Sequence, residues 1–193
     1  LVHVDASTHT NARLAVARRV ATQHGAAVAA LYAVTPSAIT SPFAPLGSEM
    51  LSAGLAALDA DRRDRSKAAF DDAMKAPGAH VAWSDLTEYS ASSDFARQAL
   101  YADLLVLGQT DASGADASGV PTDFVESVLV TSRKPALIVP RIGLHRNVGD
   151  TIVVAWKEAP ESARALAAAI PMLQRAEKVH VVSWSPVVPR MAG

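Results

Sequence analysis

The chain has 193 residues, a formal net charge of −1 at pH 7 and a sequence that is 50% hydrophobic. The near-neutral charge excludes the strongly basic surface that nucleic-acid binding requires, and the lack of cysteine excludes disulfides and thiol catalysis. No hydrophobic run approaches the ~18 residues that cross a membrane. We therefore expect a globular, cytoplasmic protein with neither a nucleic-acid nor a membrane partner.

Hydrophobic runs and helical spacing predict five strands and four helices that alternate along the first 140 residues. In chain order they are a strand over 2–4, a helix ending at Gly25, a strand over 28–34, a helix over 48–75, a strand over 80–83, a helix over 93–100, a strand over 103–108, a helix over 122–132 and a strand over 136–139. Ser7 or Thr8 is the predicted cap of the first helix, and Thr122 that of the last. This alternation is typical of an α/β fold with a doubly wound, open, five-stranded parallel sheet of the Rossmann-like kind.

The second part of the chain repeats the pattern of its beginning. Residues 152–156 form a hydrophobic run, a helix through Leu166 and Leu173 follows, and residues 179–184 form another run, as in a βαβ unit. The repeat predicts a first domain over 1–142, a linker over 143–149 and a partial second copy over 150–193, related to the first by approximate two-fold symmetry.

This second copy is short, since ~45 residues are too few to bury a core of their own. Its helix carries an apolar face formed by Leu166, Ile170 and Leu173. We expect further chain or a partner to cover that face.

Ligands of doubly wound sheets bind beyond the carboxyl ends of the strands, where the strand order reverses. The candidate binding residues are therefore those that end the first, second and fourth strands or begin the last of the four helices. They are Asp5, Ala6, Ser7, Val34, Leu107, Gly108 and Thr122.

Several segments together resemble the universal stress protein family, in its bacterial form with two such domains in one chain. They are VHVDAS at 2–7, ADLLVLG at 102–108, FVESVL at 124–129, KPALIVP at 134–140, IVVAW at 152–156 and ESARAL at 161–166. The resemblance implies an adenine-nucleotide-hydrolase-like fold, a role in stress response and ATP or another adenine nucleotide as ligand. It also implies pairing through the edges of the fifth strand, which gives a homodimer or an internal pseudo-dimer.

The phosphate loop departs from the family pattern Gly-x2-Gly-x9-Gly-Ser/Thr. Gly108 fits its first position, Asp111 stands at the second, and the final pair falls on Pro121-Thr122 or on Thr122-Asp123. An aspartate repels phosphate, and a proline offers no N–H donor. The sequence therefore predicts that the first domain binds ATP weakly or not at all.

Each candidate also has a structural interpretation. Asp5 and Thr122 are common turn and helix-cap residues, Gly108 suits a tight turn, and Lys157, which stands where Asp5 stands in the first copy, suits an exposed turn. The six histidines are scattered without the spacing of metal ligands, and His3 is expected in the core.

Two other folds and one other function are alternatives. A phospho-receiver is excluded because the fifth strand ends in Pro140-Arg141 rather than lysine, and a flavodoxin because aromatic residues do not flank the first loop. A nucleotide-hydrolysing enzyme is the alternative function, but no Ser-His-Asp or paired-carboxylate arrangement is legible. We therefore expect a binding or signalling module rather than an enzyme.

Overall fold

The computed structural model describes residues 1–41, 49–86, 90–110, 119–143 and 148–183. Asp111 of the predicted phosphate loop and most of the predicted linker lie outside these residues. The chain divides into two units, Leu1–His145 and Arg146–Gly193. No helix in the described part of the chain is long and apolar enough to cross a membrane.

The first unit is a five-stranded parallel sheet flanked by helices. Its strands are β1 (Val2–Val4), β2 (Val28–Tyr32), β3 (Val81–Asp85), β4 (Leu105–Gly108) and β5 (Ala136–Val139). Its helices are α1 (Thr10–His24), α2 (Ser37–Thr40), α3 (Glu49–Lys75), α4 (Ala91–Ala99) and α5 (Phe124–Ser132). The strand order is β3-β2-β1-β4-β5 with every pair parallel, which confirms the predicted doubly wound fold.

The core lies against the central strands. β1 pairs on one side with β2 and on the other with β4, and all three of its residues are buried. Phe95 of α4 and Phe124 and Val128 of α5 pack with Leu105 and Leu107 of β4 in one buried cluster. The hydrophobic run of β1 is thus explained by burial on both faces.

The predicted helix caps are wrong, although Gly25 ends α1 in the left-handed conformation at φ 59° as expected. His9 and Asp123 hold the N-cap positions of α1 and α5, and neither makes a side-chain cap hydrogen bond. Ser7 does not cap α1 because its amide and hydroxyl both donate to the Asp5 carboxylate instead.

The second unit is a strand, a helix and a strand in the predicted order. β6 (Thr151–Trp156) and β7 (Lys178–Ser183) pair in parallel as a separate two-stranded sheet, and α6 (Pro160–Leu173) connects them. None of the residues of α6 is fully buried, and every residue of β7 is exposed. The interpretation of this unit as a second copy of the first domain stays a prediction.

We expect residues 148–193 to remain unfolded when they are expressed alone. Two strands and one helix bury too little apolar surface to offset the entropy lost on ordering the chain. The measurement is circular dichroism during urea titration, with residues 1–145 as the control that unfolds in one cooperative step. A sigmoidal transition of the isolated 148–193 segment would contradict the prediction.

Candidate functional site

A cavity of about 290 Å³ opens at the carboxyl ends of β1 and β4, where the strand order reverses. We call it the switch-point cavity. Its walls come from the β1–α1 connection, the end of β4, the residues that lead into α5 and the end of β5. They comprise His3, Asp5, Ala6, Ser7, Thr8, His9, Arg13, Gly108, Gln109, Thr110, Val120, Pro121, Thr122, Phe124, Val125, Val139, Pro140 and Arg141.

Five of the seven predicted site residues line this cavity and two do not. The five are Asp5, Ala6, Ser7, Gly108 and Thr122. The side chain of Leu107 lies in the hydrophobic core. Val34 lies outside the wall because Gly119, in the chain that leads into α5, lies against it.

Gly119 covers the end of β2. The amide of Thr35 donates a hydrogen bond of 2.9 Å to the carbonyl of Gly119, and a Cβ placed on Gly119 would lie 3.4 Å from the Cβ of Val34. Gly119 has φ +79°, a conformation that favours glycine. The place beside Val34 that was predicted for a ligand is therefore occupied by the chain itself.

Asp5 is the centre of a buried polar network. Its Oδ1 accepts hydrogen bonds from Ser7 N at 2.9 Å and from Arg13 Nη2 at 2.6 Å, and the Ser7 hydroxyl donates to it as well. The Thr10 hydroxyl lies 3.0 Å from the same oxygen. Burial alone would raise the pKa of Asp5, but the Arg13 guanidinium outweighs this effect and, with Ser7, holds the pKa well below its usual range. Asp5 is therefore an ionised turn residue that is paired within the protein.

His3 is a core residue, as expected. Its Nε2 lies 2.9 Å from the carbonyl oxygen of Ala33, and its ring packs against Phe95 and Phe124 with centroid distances of 5.5 and 4.2 Å. Burial lowers the pKa of His3 to about 4, and the Asp5 carboxylate, 3.8 Å from Nδ1, opposes this only in part. His3 is therefore neutral at pH 7, with Nε2 as the donor to Ala33.

Arg13 is a charged residue of the cavity wall that the sequence did not single out. It is 4% exposed and lies on the buried face of α1. That face has helical spacing and otherwise holds the residues Thr10, Leu14, Val16, Ala17, Val20 and Ala21. A single arginine on an apolar face, eight residues after an aspartate that ends a strand, is the signal that could have identified the pair.

Arg13 also explains Gly108. The φ of Gly108 is not in the left-handed region, so a tight turn does not require glycine there. A Cβ at Gly108 would instead lie only 2.4 Å from Nη1 of Arg13. The guanidinium passes directly over the end of β4, so a larger residue there would require Arg13 to shift.

The remaining predicted positions are exposed. Thr122 lies at the rim of the cavity, and the carboxylate of Asp123 accepts a hydrogen bond of 2.9 Å from the Ser127 hydroxyl. Lys157 follows β6 and is exposed, as a turn lysine would be. Within the described ranges, no cluster of three or more histidine, aspartate or glutamate side chains is placed to hold a metal ion.

The structure of the universal stress protein UspA from Lactobacillus plantarum is similar to this chain. The TM-score is 0.51 at 23% sequence identity, over 72% of this chain and 95% of that chain. No protein-family model and no curated protein matches the sequence. At this level of identity the likeness concerns the fold, and the conclusion is that the chain has a universal-stress-protein-like fold of the Rossmann type.

Proposed function

We propose that the chain acts in a stress response as a universal-stress-type binding or signalling module in the cytoplasm. The observation that carries this proposal is the switch-point cavity, which lies where doubly wound folds bind their ligands. The similarity in fold to a universal stress protein supports the stress-response role.

The connections among the polar side chains of the cavity argue against a hydrolytic enzyme. Ser7, His3 and Asp5 are the residue types of a hydrolytic triad, but Asp5 lies between the other two and the Ser7 hydroxyl donates to it. A triad needs the histidine next to the serine, as the base that takes its proton. Here Nε2 of His3 is instead bound to Ala33. Nucleotide hydrolysis needs no triad, but it does need a group that orients the attacking water, and the Asp5 carboxylate is already bound to Ser7 and Arg13. We therefore propose a binding module in preference to the alternative of a nucleotide hydrolase.

For the assembly, we propose a homodimer or an internal pseudo-dimer through the edges of β5. β5 ends the five-stranded sheet, so one side of its backbone pairs with no strand of the described part of the chain. Ile138 of β5 is 40% exposed and Ile142, just beyond the strand, is 90% exposed. An exposed apolar edge of this kind is usually covered by another strand.

We predict that ATP does not bind to the first unit with micromolar affinity. Gly119 covers Val34, the Asp5 carboxylate is paired with Arg13, and Pro121 offers no N–H donor. Loss of two charge-assisted hydrogen bonds, at roughly 1.5–3 kcal/mol each, weakens binding by about two or more orders of magnitude. Calorimetric titration of ATP and magnesium into the full chain tests this. A dissociation constant in the low micromolar range would contradict it.

The binding role itself is tested by amide NMR spectra of the full chain during titration with a panel of small phosphorylated and uncharged metabolites. We expect at least one compound to shift the amide signals of residues 5–13, 108–110 and 120–125, because these segments line the cavity. Shifts confined to other parts of the chain, or none with any compound, would overturn the proposal.

A further inference from the structure

Arg13 brings a positive charge to the wall of the switch-point cavity without using all of its donors. Nη2 donates to Asp5 Oδ1 at 2.6 Å and to Thr10 Oγ1 at 2.8 Å. Nε is buried and has no hydrogen-bond partner among the described residues, and Nη1 lies over Gly108. A buried donor without an acceptor costs free energy, which an incoming acceptor would recover.

The N-terminus of α1 faces the same cavity. Ser7, Thr8 and His9 line the wall immediately before this 15-residue helix, and its first turn contains no acidic residue. The amide of Thr10 donates to the Ser7 carbonyl at 3.4 Å, but no side chain caps the helix, so the positive end of its dipole lies beside this wall without a compensating charge. This is a second source of positive potential, independent of Arg13.

Negative charge in the cavity is already neutralised. Asp5 contributes the sole carboxylate found among the described residues of the wall, and Ser7 and Arg13 both donate to it. Arg141 adds a further basic side chain to the wall. Because Asp5 and Arg13 neutralise each other, Arg141 leaves the described residues of the wall with a net positive charge, which favours an anionic ligand over a cationic one.

We infer that the switch-point cavity binds a compact oxyanion, either inorganic phosphate or the phosphoryl group of a phosphomonoester, between Arg13 and the first turn of α1. The inference rests on the proposed function, because it names the ligand class of the same cavity. A guanidinium presents paired N–H donors that match the oxygens of phosphate, and a helix N-terminus adds amide donors.

The size and position of the site fit this class. About 290 Å³ is several times the ~30 Å³ that one water molecule occupies, so the cavity has room for a phosphate group and a small organic group attached to it. The site lies at the start of α1. The phosphate loop that the family resemblance implies follows β4 instead, and the residues on either side of that loop line the same cavity.

The test is titration of the full chain with inorganic phosphate at about 0.15 M salt, where charges more than ~8 Å apart are largely screened. We expect saturable shifts of the amide signals of residues 7–13 and a dissociation constant in the millimolar range or below. Thr8→Asp places a carboxylate on an exposed residue of the cavity wall and is expected to weaken binding about tenfold or more. This variant should fold, because a carboxylate before a helix is favourable.

Ala15→Asp is the matched control, since Ala15 is exposed on α1 and outside the cavity wall. We expect its affinity for phosphate to lie within about twofold of the natural chain's, given screening by salt. Arg13→Lys, which keeps the charge but loses the planar fork, is expected to weaken binding about tenfold. If Arg13→Lys fails to fold, the affinities of Thr8→Asp and Ala15→Asp for phosphate still test the inference.

No saturable binding of phosphate, or equal affinity in Thr8→Asp and the natural chain, would overturn the inference. AMP and adenosine then distinguish the two sources of the oxyanion. Displacement of phosphate by AMP but not by adenosine assigns a phosphomonoester, and displacement by neither assigns the free ion. A chain whose cavity responds to other metabolites but not to phosphate would overturn the oxyanion inference alone and leave the proposed function standing.

Discussion

Replacement of Asp5 by alanine is expected to lower the free energy of unfolding by about 3–5 kcal/mol, because it leaves the Arg13 guanidinium buried without its counterion. Both side chains of this pair are 5% exposed, so water cannot replace the lost carboxylate. The amide and hydroxyl of Ser7 lose their acceptor in the same change. Urea denaturation of the full chain at pH 7 measures the effect.

Asp61→Ala is the matched control for this prediction. Asp61 pairs with Arg65 at 2.8 Å on α3, but the two side chains are 61% and 50% exposed. An exposed pair of this kind contributes about 1 kcal/mol or less.

The double variant Asp5→Leu with Arg13→Met removes both charges at once. It therefore measures the net contribution of the ion pair to the free energy of unfolding, without the penalty of leaving one charge buried alone. Apolar residues of similar size often replace a buried ion pair with little loss of stability. We therefore expect the double variant to be more stable than Asp5→Ala. A loss below about 1 kcal/mol in Asp5→Ala would contradict this account of the network.

The fold could be predicted because the sequence pattern that indicates each strand or helix lies within that one segment. The apolar run of β1 and the end of α1 at Gly25 depend on residues close in sequence, and each segment shows its own period. Residues 136–139 of β5 were placed at the observed bounds for the same reason. The alternation of such segments restricts the topology to very few arrangements.

The site was only partly predictable, since some of its features depend on contacts between distant segments. Asp5 and Gly108 follow from the rule that ligands bind where strands end. That Gly119 would cover Val34 depends on how the chain returns from β4 to α5, which no local pattern determines. Arg13 lies on a predicted helix, but its role became visible only when α1 was packed beside the ends of β1 and β4.

The stability of the first unit is expected to fall by about 3 kcal/mol between pH 6.5 and pH 4 through His3 alone. The pKa of this histidine is about 6.5 in an unfolded chain, whereas burial lowers it to about 4 in the folded protein. Between these two values the unfolded chain binds a proton that the folded protein does not. Acidification therefore favours unfolding, and the loss is complete near pH 4.

The measurement is the free energy of unfolding from urea titrations at pH 7, 5.5 and 4.5, for the natural chain and for His3→Gln. Glutamine keeps an amide donor for the Ala33 carbonyl but has no titratable group, so this variant should lose most of the slope over the window, whatever its stability at pH 7. His180→Gln, on the exposed strand β7, should keep the slope of the natural chain. Asp5 adds a second loss only below about pH 4, because its carboxylate is ionised in both states above that value. Equal slopes for His3→Gln and the natural chain would show that His3 is not the buried neutral group that links folding of this unit to pH.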